Sequence, residues 1–173
     1  MKKLLIFGVV VLMVVIVIFG SSYKQTNSEY LRIHIRANSN AEIDQRVKYE
    51  IKDSVVQVLT PLIADCKSFD EIKLIISENL GLIDSIANNI LKNKNFKYTA
   101  KSKVDNENFP TRNYGDYVLE AGFYDALIVE LGEAKGDNWW CVVYPPLCFV
   151  SATSGTNVVY RSRILDMINN FFK

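Results

Sequence analysis

The sequence predicts an α+β fold: two long helices packed on one face of a single, mainly antiparallel sheet, with a short C-terminal helix and an apolar export segment in front. Three observations carry this prediction. An unbroken apolar run, Leu4 to Phe19, follows Lys2-Lys3. Apolar residues then alternate with polar ones from Leu31 and from Phe96, the period of a half-buried strand, and Trp139 to Tyr144 is a third strand stretch, of aromatic and β-branched residues. Between the first two of these stretches the apolar period lengthens to that of a helix.

At 173 residues the chain suits one compact domain plus a targeting segment. Residues 1–22 read as a signal peptide or membrane anchor. Their apolar run exceeds the ~7–15 residues of a signal core and falls short of the ~17–25 of a spanning helix, so cleavage and retention both stay open. Gly20 and Ser22 fit a small-x-small cleavage pattern, and membrane contact through residues 1–22 is expected if the segment is kept. Positive charge ahead of the run predicts that the remainder leaves the cytoplasm. Residues 23–29 are a polar tether, and residues 30–173 form a single α+β domain. Lys plus Arg number 20 against 19 Asp plus Glu, which leaves no basic excess to neutralise a phosphate backbone and argues against nucleic acid as a partner.

In chain order, Leu31, Ile33, Ile35 and Ala37 form the inner face of a first strand, and Arg32, His34 and Arg36 a basic outer face. Ser39 and Glu42 make a capping-box pattern, followed by Ile43, Val47, Ile51, Val55 and Leu59 on one helical stripe to about Thr60. Pro61 kinks or ends that helix. A second capping box, Ser68 to Glu71, opens another helix with Ile72, Ile75, Ile76, Ile83, Ile86 and Ile90 inward. The next strand sets Phe96, Tyr98, Ala100, Ser102 and Val104 against Lys97, Thr99, Lys101 and Lys103, lysines that suit a guarded sheet edge or, less simply, a ligand. Asn106 to Asp116 reads as a loop whose aromatics sit beside polar residues. Ala126 to Leu131 and Trp139 to Tyr144 are expected to pair across Gly132 to Asn138 as a long hairpin. Val158-Val159 gives a weak strand signal, and Ile164, Leu165, Ile168, Phe171 and Phe172 mark the terminal helix.

The densest chemistry lies between Gly136 and Phe149, which holds both tryptophans, two of the three cysteines and the Pro145-Pro146 step. Prolines stop the strand because they donate no ladder hydrogen bond. The returning Leu147-Cys148-Phe149 can bring Cys141 and Cys148 within the ~4.4–6.8 Å that a disulfide tolerates, a pairing favoured by an exported compartment over two free thiols. Cys66 is then left over as a packing residue. Trp139 and Trp140 point to opposite faces, so one is expected in the core and the other at the surface. Trp139, Trp140, Pro145, Pro146, Leu147 and Phe149 are the candidate partner-binding residues, because rigid aromatic and proline anchors lose little entropy on docking.

No catalytic residue, metal site or cofactor is expected. Zinc sites need about four clustered ligands, and the chain has three Cys and one His without a close C-x-x-C. A cysteine-dependent hydrolase acting on the cell wall or on a receptor is the rival reading, with Cys141 or Cys148 as nucleophile and His34, the only histidine, as base. Arg32 and Arg36 on the same face would make that base a poor one.

The stretch Leu-Arg-Ile-His-Ile-Arg-Ala-Asn-Ser-Asn from Leu31, Asp-Gln-Arg-Val-Lys from Asp44, Tyr-Gly-Asp-Tyr from Tyr114, Ala-Gly-Phe-Tyr-Asp-Ala-Leu from Ala121 and the block Gly136 to Phe149 together resemble the stage II sporulation protein R family. The resemblance runs from about Tyr30 to Phe149. It implies a protein made in the forespore, exported into the space between the two membranes, that triggers a membrane-embedded aspartic protease in the mother-cell membrane. That protease matures the precursor of the transcription factor sigma-E. The resemblance supplies no catalytic residue.

Overall fold

The computed structural model describes residues 29–114 and 117–145. The export segment, Pro146, Leu147, Cys148, Phe149, the Val158-Val159 strand and the terminal helix lie outside these residues. The fold is α+β. Its strands are β1 (Leu31–Arg36), β2 (Ala100–Phe109), β3 (Arg112–Tyr114), β4 (Tyr117–Leu119), β5 (Gly122–Leu131) and β6 (Asn138–Tyr144). Its helices are α1 (Glu42–Ile63), α2 (Phe69–Glu78) and α3 (Leu80–Asn93).

The main sheet is mixed, in the order β2-β5-β1-β6, while β3 and β4 form a separate two-stranded sheet. β1 runs parallel to β5 and antiparallel to β6, and β2 and β5 are antiparallel. The expected hairpin between β5 and β6 is therefore not formed, because β1 lies between them. Their connection, residues 132–137, instead crosses two strand spacings, roughly 9–10 Å, over the end of β1. A latch of hydrogen bonds holds it there. Gly136 and Lys135 donate backbone N–H groups to the carbonyls of Ala37 and Asn38 at 2.9 and 3.2 Å. Asn38 Oδ1 accepts from Glu133 N at 2.9 Å, and Asn40 Oδ1 from Asp137 N at 2.6 Å. Two glycines are required for different reasons: Gly132 has a φ of +57°, and a Cβ on Gly136 would stand 2.2 Å from the Ser39 carbonyl oxygen.

The latch explains the polar residues after β1. Asp44 is buried and accepts from Ser39 Oγ at 2.6 Å, Asn38 Nδ2 at 2.8 Å and Tyr98 OH at 2.6 Å. Burial alone would raise its pKa, but these hydrogen bonds hold it below the usual carboxylate range, while burial first and the Asp44 carboxylate second raise that of Tyr98. Lys48, also buried, donates to Gln45 Oε1 at 2.7 Å and to the Asp137 carbonyl at 3.0 Å. Because Ser39 is engaged with Asp44, the expected Ser39–Glu42 capping box is absent; Ala41 is the N-cap and makes no side-chain cap. Ile43, one turn too early, is 54% exposed, whereas Val47, Ile51, Val55, Leu59 and Ile63 are buried. α1 passes through Pro61 into its last turn.

The capping box at Ser68 does form, with Glu71 N donating to Ser68 Oγ at 3.2 Å. The helix it opens is not continuous. Asn79 caps α2 and starts α3: its side chain and backbone N–H bond the Ile75 carbonyl, and its own carbonyl accepts from Leu82 and Ile83. This joint shifts the phase, so α3 buries Ile83, Ala87 and Leu91 while Ile86 and Ile90 are half-buried. The helices cover the sheet face carrying Leu31, Ile33, Ile35, Leu127, Val129, Leu131, Cys141 and Val143. β2 is an edge strand with Lys101 and Lys103 exposed. It begins at Ala100, later than Phe96, and continues through the expected loop to Phe109; β3 and β4 then make a short hairpin.

Candidate functional site

Away from the helices, the opposite sheet face is built from alternate residues of β1. Register sets Arg32 beside Ala126 and Val142, His34 beside Ile128 and Trp140, and Arg36 beside Glu130 and Asn138. This face was expected to be a solvated basic surface, yet Arg32 and His34 are 0% and 5% exposed. The reason is a cover the alternation does not reveal. Phe109 from the end of β2, Tyr124 from β5, Trp140 from β6 and the β3–β4 hairpin enclose a second, smaller core on this side.

The arginines in it are held by rings as much as by acids. The Arg32 guanidinium lies 4.2 Å from the Phe109 ring centre and 4.9 Å from that of Tyr124, and donates from Nη2 to Tyr114 OH at 2.7 Å. Arg112 of β3 stacks 4.0 Å over Trp140. His34 packs at 5.2 Å from Trp140 and 5.7 Å from Phe109, and its Nδ1 pairs with Glu107 Oε2 at 2.7 Å. Arg36 bonds Glu107 and, through Nη1, Glu130 at 2.7 Å. Burial first, then Arg36 and Arg32, bring the His34 pKa down from 6.5 to about 4. The imidazole is neutral near pH 7 and donates Nδ1–H to Glu107.

The candidate residues on β6 are split by the sheet. Trp139 packs against the helix-side core with Lys52 Nζ 5.6 Å from its ring, and Trp140 sits on the far side with His34 and Arg112. Neither is fully in the core or fully at the surface, as one of each was expected to be; both are half-buried. Arg112, stacked on one of them, caps it from the hairpin. Pro145 is buried, ends β6 and follows a cis peptide bond. Cys141 is disulfide-bonded and stands opposite Ile33 on the helix side of the sheet. It cannot serve as a nucleophile for His34, which points from the other side. Cys66 is a free, buried thiol in the turn after α1, not within a helix, and burial pushes its pKa up. Among the described residues no cluster of His, Cys, Asp and Glu could hold a metal ion, and no helix is long and apolar enough to cross a membrane.

Sequence reasoning located the tryptophans on their strand and Arg32 on the basic face, but missed Glu107, the burial of Arg32 and the stacking of Arg112 on Trp140. One signal was available: the aromatic residues at Phe109 and Tyr114 flank Arg112 just after a strand, within reach of cations that alternate on another.

Comparison with known proteins agrees with the shared stretches. The family profile described as Stage II sporulation protein R (spore_II_R) matches residues 27–154, which takes in every described residue. A protein named stage II sporulation protein R from Bacillus subtilis (strain 168) is 36% identical over 128 residues, 74% of this chain. The chain spans 57% of that relative's length. No solved structure matches. With the match running unbroken through the sheet, the latch and the tryptophan strand, the chain belongs to the stage II sporulation protein R family.

Proposed function

We propose that this sporulation protein is an exported forespore signal that activates a membrane-embedded aspartic protease of the mother-cell membrane by binding it, leading to maturation of pro-sigma-E. The observation that carries the reading is the family match over residues 27–154. A ligand of this kind acts by binding the active state of its receptor more tightly than the inactive one, with no bond chemistry of its own. The separation of Cys141 from His34 by the thickness of the sheet supports binding over thiol hydrolysis. In this reading the docking surface comprises Trp139, Trp140, Pro145, Pro146, Leu147 and Phe149, with Cys141 and Cys148 paired to fix the corner, and residues 1–22 direct export.

Two experiments test it. Expressed in the forespore, the chain without residues 1–22 is expected to leave the sigma-E precursor unprocessed; normal processing refutes export. The purified chain is expected to bind the extracytoplasmic segment of the protease, and no measurable association at micromolar concentrations refutes the ligand role.

A further inference from the structure

Among the described residues, the Arg32 and Arg112 guanidiniums beneath the β3–β4 hairpin have no carboxylate partner. Arg32 is wholly buried, and its Nε and Nη1 have no hydrogen-bond acceptor; Nη2 is met only by the neutral Tyr114 hydroxyl. The described carboxylates that β2 and β5 set on this face are engaged elsewhere: Glu107 by His34 and Arg36, Glu130 by Arg36 and Lys103, and Asp105 by Lys103 and the Asn106 N–H. Arg112 approaches from the hairpin with its own Nε buried and unmet. Burial lowers the proton affinity of Arg32, Tyr114 and Tyr124 offset part of that, and the Arg112 charge adds a smaller lowering. Aromatic faces offset part of the cost of burying such a charge, but a ring cannot satisfy in-plane N–H donors.

The geometry points to a carboxylate-binding site formed by Arg32 and Arg112, closed in this structure by Tyr114, that takes an aspartate or glutamate side chain of a partner polypeptide. Nη2 and Nε form the side-on fork of a guanidinium, which matches the two oxygens of a carboxylate. An acid that displaces Tyr114 OH from Nη2 also reaches the unmet Nε. Phe109 and Tyr124 wall the site against water, which strengthens a charge-assisted pair and disfavours a more highly charged, more strongly hydrated phosphate. The cover is a small unit. β3 and β4 pair over three residues each, belong to no larger sheet, and are too short to persist as an isolated hairpin. Tyr114 and Arg112 both sit on β3, so one displacement removes the placeholder and repositions the second arginine. This site adjoins Trp140, one of the proposed anchors, and does not depend on which partner the protein has.

Trp140, stacked under Arg112, is the reporter. The full chain, purified in a non-ionic detergent, is titrated at constant ionic strength with sodium acetate, sodium chloride, sodium phosphate, and the capped peptides acetyl-Gly-Glu-Gly-amide and acetyl-Gly-Gln-Gly-amide, reading tryptophan fluorescence. A saturable change with acetate and the Glu peptide, absent with chloride and the Gln peptide, is expected. Arg32→Met should weaken it roughly tenfold to a hundredfold, the worth of hydrogen bonds to a charged group. Its melting temperature should equal or exceed that of the parent, because an unpaired buried charge has gone. Arg112→Gln should weaken binding with no change in melting. The proposal is overturned if no saturable change occurs, if chloride, phosphate or the Gln peptide reproduces it, or if both variants bind as the parent does. It is also overturned if Arg32→Met melts well below the parent, since Arg32 is then a structural lock.

Discussion

Replacing Gly136 by alanine tests whether the latch over β1 holds the sheet together. The added Cβ would meet the Ser39 carbonyl oxygen at 2.2 Å, its carbon at 2.5 Å and Ala37 Cβ at 2.9 Å, all short-range clashes with backbone or a rigid methyl. The loop must lift, which puts at risk the bonds Gly136 N to Ala37 O, Lys135 N to Asn38 O and Asp137 N to Asn40 Oδ1. At about 1 kcal/mol for each hydrogen bond and about 1–3 kcal/mol for overpacking, partial relaxation leaves a loss of about 4 kcal/mol. For a domain of this size that lowers the melting temperature by roughly 10–20 °C. Gly81→Ala is the matched control. Nothing lies within 4 Å of its Cβ, and it sits exposed in α3, so helix propensity should stabilise the protein by about 1 kcal/mol. Urea and thermal melts followed by circular dichroism measure both. If Gly136→Ala melts within about 2 °C of the parent, a shift of well under 1 kcal/mol, the crossover is a passive connection and the reasoning fails.

Three further outcomes follow from the same contacts. His34 has a folded pKa of about 4 against 6.5, so the unfolded chain takes up a proton that the folded one refuses; stability should fall as pH drops from about 6.5 towards 4, by at most ~3 kcal/mol. Glu107 at 2.7 Å trims that figure, and a His34→Gln variant with the same acid limb would show that other groups set it. Asp44→Ala strands Ser39, Asn38 and Tyr98 as donors and should cost about 3 kcal/mol in urea unfolding, while Asp44→Asn should recover part of it. Among Trp139→Phe, Trp140→Phe, Leu147→Ala and Phe149→Ala, variants that melt like the parent should still lose sigma-E precursor processing; full processing by every folded variant would make the corner scaffold only.

What could be read without coordinates was whatever repeats locally. The stripe from Val47 to Leu59 and the lysines of the β2 edge show in residue spacing, the cap at Ser68 in a local motif, and the strand from Trp139 to Tyr144 in its aromatic and β-branched residues. Strand partners do not. Nothing near residue 31 announces that β1 will sit between two strands from beyond residue 121, and a glycine-flanked loop such as 132–137 looks the same whether it turns a hairpin or vaults a strand. Asn79 broke the helix without a proline, through its own side-chain bond to Ile75. The buried arginine face was misread for a related reason: alternation separates two faces but does not tell water from an aromatic lid. For the candidate site, the tryptophans lie on β6 and Pro145 follows it, but both rings are half-buried where one was expected inside and one outside, and the stacking of Arg112 becomes visible only once β3 is folded over Trp140.

The central position of β1 also sets a schedule. Its two neighbours, β5 and β6, are the last strands described, and Arg36 meets Glu130 across 94 residues of sequence. A chain that emerges N-terminus first, from a ribosome or through a pore, therefore presents its central strand, with Leu31, Ile33 and Ile35 on one face, long before anything exists to cover both of its edges. Helices α1 to α3 can form meanwhile and shield one face, but the sheet closes only when residue 144 has appeared. Until then one edge of β1 has no strand to pair with, and the latch around Gly136 places β6 for that last pairing.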